Sequence, residues 1–233
     1  MIPGLVSVVI PVYNREGFIA EAIESALGQQ DAEMEILVVD DGSTDGTISA
    51  ASRYGSRIRL IRQENAGPPA ARNRGIADAQ GEFLTFLDSD DLWPSRRTRV
   101  LLDCLQAHPE AGAAMGRMQY IPVDVSRSSG FAAACGEAEA IVNYNLSASL
   151  FRASALRAVG LFDESMRYSD DWDWFVRARE KGVRIELAPE VTLINRRHGE
   201  NLSNQREIGN HYTLMMLKKS LDRRRAGKQK PPE

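Results

Sequence analysis

Asp88, Asp90 and Asp91 crowd the end of an apolar, β-prone run, Glu82-Phe83-Leu84-Thr85-Phe86-Leu87. Like charges gathered at a strand end repel one another, so folding alone gains little from them. A divalent cation shared with a diphosphate would remove the repulsion, because hard cations take oxygen ligands of both kinds. The plain alternative is an acidic surface turn in which Asp91 or Ser95 caps the next helix. A second acidic set lies in Ser169-Asp170-Asp171-Trp172-Asp173-Trp174. Acids in a first helical turn suit the dipole, and Ser169 reads as the cap. That explains the acids but not the tryptophans on either side of Asp173. An apolar wall would desolvate a carboxylate and raise its pKa toward the range a general base needs.

These groups need elements to hold them. Leu5–Pro11, Glu35–Val39, Ile58–Ile61 and Glu82–Leu87 read as strands, and Phe18–Leu27, Thr44–Gly55 and Pro68–Ala79 as the helices between them. Continuous apolar strands alternating with helices predict a parallel sheet covered on both faces. Ligands of such sheets bind beyond the carboxyl ends of the strands. Pro11-Tyr13, Asp40-Asp41 and Asp88-Asp90 all fall at such ends. Pro94–His108 then reads as a helix and Gly112–Tyr120 as a strand, followed by a weakly patterned stretch over Pro122–Glu139.

Composition narrows the chemistry. The 233 residues are 43% hydrophobic and 26% charged with a net charge of −3, which suits a globular chain and gives no global signal for nucleic acid. No apolar run reaches membrane-spanning length and no basic leader precedes an apolar core, so a cytoplasmic protein is the expectation. Cys104 and Cys135 fit no metal motif and read as packed thiols. The loop after the first strand, Val12-Tyr13-Asn14-Arg15-Glu16-Gly17, is not a glycine cradle, and no P-loop occurs. A diphosphate held through a metal fits better than a dinucleotide dehydrogenase or P-loop ATPase.

Four motifs stand in order: Ser7-Val8-Val9-Ile10-Pro11-Val12-Tyr13-Asn14; Val38-Val39-Asp40-Asp41-Gly42-Ser43-Thr44-Asp45-Gly46-Thr47; Asn65-Ala66-Gly67-Pro68-Pro69-Ala70-Ala71-Arg72-Asn73-Arg74-Gly75; and the Asp88 cluster. Together they closely resemble the family 2 glycosyltransferases, over about Leu5 to Asn204. The resemblance implies a GT-A fold: an α/β domain whose Rossmann-like nucleotide-binding sheet, about residues 1–120, merges with a smaller acceptor and catalytic-base half, about 121–204. A C-terminal helix and basic tail, 205–233, follow. It implies a metal-dependent, inverting transfer of a sugar from a nucleoside-diphosphate sugar, with UDP the expected carrier, to a hydroxyl of a carbohydrate, lipid-linked or other acceptor. Two other readings stay open, a nucleotidyltransferase and a catalytically silent sugar-nucleotide binder.

The resemblance also assigns roles. Asp90, with Asp88, would ligate Mn²⁺ or Mg²⁺, and Asp88 would alternatively touch ribose. His198, in Arg196-Arg197-His198-Gly199-Glu200-Asn201-Leu202-Ser203, would complete the metal or diphosphate site. Asp40 and Asp41 would accept from ribose or a pyrimidine N–H, or shape a turn. Pro11 and Tyr13 would line the base pocket. Arg72 would approach the nucleotide or bridge to an acidic neighbour. Asp171 matches the family's general base, with Asp170 in place of the usual Glu. From Lys218 to Glu233, Lys218, Lys219, Arg223, Arg224, Arg225, Lys228 and Lys230 face only Asp222 and Glu233. This tail reads as a solvated, fraying helix or as a weak contact with anionic lipid or an acidic partner, at the membrane periphery.

Overall fold

The computed structural model describes residues 1–122, 140–199 and 206–228. The segment 123–139 with Cys135, the Asn201-Leu202-Ser203 part of the late loop, and the tail from residue 229 lie outside the described residues.

In chain order the elements are β1 (Ile2–Val12), α1 (Ile19–Leu27), β2 (Met34–Asp40), α2 (Thr47–Ser52), β3 (Arg59–Arg62), α3 (Pro68–Asp78), β4 (Gly81–Phe86), α4 (Arg97–Ala107), β5 (Ala113–Pro122), β6 (Ser149–Arg152), α5 (Ala153–Val159), α6 (Asp170–Glu180), β7 (Ile185–Arg197) and α7 (Arg206–Lys228). The strands form one sheet in the order β3-β2-β1-β4-β6-β5-β7. β3, β2, β1 and β4 are parallel, as the sequence pattern predicts. β6 then runs antiparallel to both β4 and β5, and β7 pairs parallel with β5. The sequence reading contains no strand over β7. Its apolar residues are interrupted by Pro189 and by charged side chains, and its pairing with β5 is a distant contact that no local pattern announces.

Alternation along β1 builds two cores. Val6, Val8, Ile10 and Val12 face Ile19, Ile23 and Leu101 on one side of the sheet. Val9 faces the other side, with Ile76, Phe151, Leu156 and Trp174. Gly75 sets how closely α3 lies on that second face: a Cβ there would meet Val9 Cγ1 at 2.3 Å. The close approach carries Arg72 and Asn73 over the sheet.

Two helix starts differ from the predicted ones. α2 begins at Thr47, not Thr44, because the Asp45 carboxylate accepts from Thr47 N at 3.0 Å. α4 begins at Arg97, not Pro94; Arg96 holds the N-cap position with φ 63°, and neither Asp91 nor Ser95 caps it. Among the described residues no helix is long and apolar enough to cross a membrane.

Candidate active site

A cleft of about 1130 Å³ opens where the parallel strands end. Pro11, Tyr13 and Asp41 line it from the ends of β1 and β2, and Arg72 from α3. Asp88 and Asp90 enter after β4, and Asp171 and Trp172 from the start of α6.

The first two loops stitch to each other. Asn14, in a left-handed conformation with φ 49°, donates its N–H to Ser43 Oγ at 3.0 Å and accepts from Thr44 N through its side chain at 2.8 Å. Arg15 N donates to Thr47 Oγ1 at 2.8 Å. This leaves Tyr13 projecting, 46% exposed, into the cleft. Adjacent residues of an extended chain point to opposite sides, and Asp40 and Asp41 divide accordingly. The Asp40 side chain is buried outside the cleft lining, accepting from Ser43 N at 3.3 Å with Arg62 Nε at 3.7 Å. Asp40 shapes the turn, and its Oδ2 has no hydrogen-bond partner among the described residues. Asp41 lines the cleft, yet its carboxylate already accepts from Gln63 Nε2, Ala66 N and Gly67 N at 2.8–2.9 Å. It pins the entry to α3.

The three acids after β4 go to three different environments. Asp88 is about a third exposed and accepts from Arg72 Nη2 at 2.9 Å; its own N–H donates to Ser147 Oγ at 3.1 Å. Asp90 faces His198 Nε2 at 3.2 Å and Arg15 Nε at 3.5 Å. Asp91 turns inward and is 1% exposed, taking Asn195 Nδ2 at 2.9 and 3.0 Å and Arg196 N at 2.9 Å. Burial, with Asp90 and Asp88 beside it, holds the Asp91 carboxyl well above the usual carboxylate range. His198 does not line the cleft. Its ring is buried and stacked on Phe18 at 4.5 Å, reaching Asp90 from below.

Arg72 is the junction. Buried on α3, it donates through Nη2 to Asp88 and through Nη1 to Asp170 at 2.5 Å. Burial pulls its pKa down, but Asp170, Asp88 and Asp171 more than offset that and hold it above its ordinary value. Of the two readings left by the sequence, the acidic bridge is the one formed. Asn73 beside it ties the same helix to the turn before α6, donating to Phe162 O and Glu164 Oε1 and accepting from Phe162 N, each at 2.9 Å.

α6 begins under strain. Ser169 occupies the N-cap position with φ 58°, and its hydroxyl makes no capping bond. Left-handed backbone at a residue with a side chain costs about 1–2 kcal/mol. Asp171 Oδ1 accepts from Trp172 N at 2.8 Å. Removal from water, then the neighbouring Asp170 charge, push the Asp171 carboxyl up to about 7, with Arg72 pulling the other way. The tryptophans do not form the expected wall together. Trp172 lines the cleft, whereas Trp174 is fully buried against Phe151 and donates from Nε1 to Gly160 O at 3.2 Å. Asp173 is buried on a salt bridge to Arg177 Nε at 2.7 Å, with Arg223 Nη1 at 3.4 Å.

Carboxylates and an imidazole are a donor set that suits Mn²⁺ or Mg²⁺; Asp90 lines the cleft with the buried His198 ring behind it, and the two could hold a cation that a diphosphate completes. The described residues also bring His108, Glu110 and Glu186 together, but outside the cleft, where Arg184 pairs with both glutamates.

Residues 7–157 match the description "Glycosyl transferase family 2". The chain belongs to glycosyltransferase family 2. An uncharacterized glycosyltransferase of Rickettsia typhi is 32% identical to it over 212 residues, covering 86% of this chain and 66% of that protein. Glycosyltransferase GlyG of Streptococcus pneumoniae is 44% identical over 106 residues, 44% of this chain and 35% of that one. This family 2 glycosyltransferase therefore spans less than two thirds of the length of these curated relatives. Staphylococcus aureus TarS 1–349 in complex with UDP-GlcNAc superposes with a TM-score of 0.70 at 22% identity, covering 86% of this chain and 60% of that one. The mannosyltransferase PcManGT of Pyrobaculum calidifontis, in complex with GDP-Man and Mn²⁺, gives 0.72 at 22%, covering 93% and 64%. The glycosyltransferase thus has the GT-A fold, a mixed α/β domain on one sheet.

Sequence reasoning missed Asn73, Arg15, Ser147 and the Asn195–Arg196 pair. Asn73 and Arg15 stand beside residues it had singled out. Ser147, Asn195 and Arg196 act through contacts across the sheet and leave no local signal.

Proposed function

We propose that the protein transfers a sugar from a nucleoside-diphosphate sugar, UDP being the expected carrier, to an acceptor hydroxyl with inversion at the anomeric carbon. The observation that carries this reading is the convergence of Asp88 and Asp90 with Asp171 on one cleft, with Arg72 linking Asp88 to Asp170, the neighbour of Asp171. The sugar nucleotides and Mn²⁺ bound by the structural neighbours support it.

Asp90 and His198, with Asp88, would hold the divalent cation. When bound, it supplies Lewis-acid neutralisation of the charge on the departing diphosphate. Pro11 and Tyr13 offer an apolar edge and a ring face to the base. Asp171, half-buried with a pKa of about 7, takes the acceptor proton as the hydroxyl oxygen bonds to the anomeric carbon. The carbon–oxygen bond to the diphosphate breaks, and its electron pair leaves with the nucleotide. Attack opposite the leaving group in a single displacement gives inversion. Arg72 opposes the rise that burial gives the Asp170 pKa and holds the start of α6 facing Asp88.

Products test the reading. Incubation with labelled UDP-sugar and Mn²⁺ is expected to release UDP and a glycoside of inverted configuration. Released sugar 1-phosphate would instead mean nucleotidyl transfer, the uridylyl group having moved, and donor binding without turnover on any acceptor a silent binder.

The basic C-terminal run adds a location. On α7, Leu214, Leu217 and Leu221 are exposed on the face that also carries Lys218 and Arg225, and such a face suits an anionic membrane surface at the cytoplasmic side. Co-sedimentation with phosphatidylglycerol vesicles but not phosphatidylcholine vesicles is the expected outcome.

A further inference from the structure

The chain has tryptophans at 93, 172 and 174, and they are 4%, 41% and 0% exposed. Trp172 is therefore the one left in water, and it stands next to Asp171 in the cleft lining. Its ring is braced. Tyr144 meets it edge-on at 6.0 Å, and Tyr144 in turn rests on the buried Phe175 at 5.1 Å. An indole held open beside Asp171 forfeits burial that no contact among the described residues requires it to lose. Asn143 and Asn210 line the same cleft, and neither side chain hydrogen-bonds to another described residue. Arg167 also lines it and is exposed.

A pyranose ring has an apolar C–H face and a polar rim of hydroxyls. An aromatic face takes the first, and primary amides, each both donor and acceptor, take the second. A linear polyol phosphate has no such face to lay on an indole, and its phosphate would be met by the exposed Arg167 instead.

We propose that the acceptor is a pyranose, stacked on Trp172 with its hydroxyl directed at Asp171. The proposal rests on the reading of Asp171 as the base. It deepens that reading by assigning the acceptor's class and a specificity-determining residue.

The test is binding by the full chain without donor. Acrylamide quenching of tryptophan fluorescence reports Trp172, and the exposed component is expected to vanish in Trp172→Phe. Among methyl glycosides of glucose, galactose, mannose, rhamnose and N-acetylglucosamine at about 100 mM, at least one should reduce quenching about twofold, and glycerol phosphate should not. Saturation-transfer NMR with that glycoside should lose signal about fivefold in Trp172→Ala, whereas Trp172→Phe, which keeps a ring face, should retain most of it. No protection by any glycoside, equal protection by glycerol phosphate, or undiminished transfer in a folded Trp172→Ala protein would each overturn the proposal. The donor reading fails separately. A protein that binds no UDP-sugar with Mn²⁺ yet is shielded by a glycoside refutes the donor assignment and keeps the platform. The reverse result refutes the platform alone.

Discussion

The acids after β4 and those opening α6 look alike in sequence and are treated differently by the fold. The first cluster sends one carboxyl group inward, Asp91, and the second buries two, Asp170 on Arg72 and Asp173. Among the described residues Asp91 receives neutral donors, from Asn195 and the Arg196 backbone, whereas Asp173 receives the cations Arg177 and Arg223. The outward groups differ as well. Asp90 sits near Arg15 and His198, and Asp88 on Arg72, so that side is set to share its charge with a further cation. Asp171 receives one backbone N–H and is otherwise left beside Asp170. A carboxylate's task follows from its partners, and under the proposed function the two clusters would divide the tasks of holding the donor and activating the acceptor.

The division is broken most directly at α6. Asp171→Asn is expected to lower turnover by about 10²–10⁴-fold, while UDP and Mn²⁺ still raise the melting temperature as in the wild type. Equal loss of donor binding and turnover would mean that Asp171 is not the base. Asp173→Ala, two residues on, should instead cost about 3–5 kcal/mol of stability in urea unfolding, because it leaves Arg177 without its buried partner.

The next effect belongs to the other cluster. Asp90→Ala should remove the extra thermal stabilisation by UDP that Mn²⁺ provides, a term of about 2–3 kcal/mol at a hundredfold excess over the dissociation constant. Unchanged metal dependence would exclude Asp90 as a ligand. Arg72→Lys then tests the link between the clusters. A lysine offers a point charge where the guanidinium fork holds both Asp88 and Asp170, so turnover should fall about tenfold with the fold retained.

What the sequence made legible follows the same division. The parallel half of the sheet and the strand-end acids were readable because period and punctuation are local. That Asp40 is buried while Asp41 lines the cleft was not legible, because a pair of adjacent acids does not announce which one the strand turns inward. Ser169 carried the composition of a cap, but it takes a left-handed backbone and its hydroxyl makes no capping bond, which residue type alone does not announce. Trp172 and Trp174 are both plausible as a wall; only the packing of Phe151 decides that one is core. β7, which pins Asp91, is a pairing across the fold.

The smallest expected effect separates a functional carboxylate from a structural one by sign. Asp171 has a folded pKa of about 7, against about 3.9 for an unfolded aspartate. Between those values the folded state binds the extra proton, so stability falls as pH rises through the window and levels off above about 7. Asparagine cannot ionise, and Asp171→Asn should therefore melt higher than the wild type at pH 8, with the gap closing as pH falls toward 4. Because the group borders the cleft, solvent screens part of the penalty; a gain of about 1 kcal/mol, or roughly 2–4 °C, is expected. A lower melting temperature for Asp171→Asn at pH 8 would place this carboxylate with Asp173, among the groups that hold α6 together.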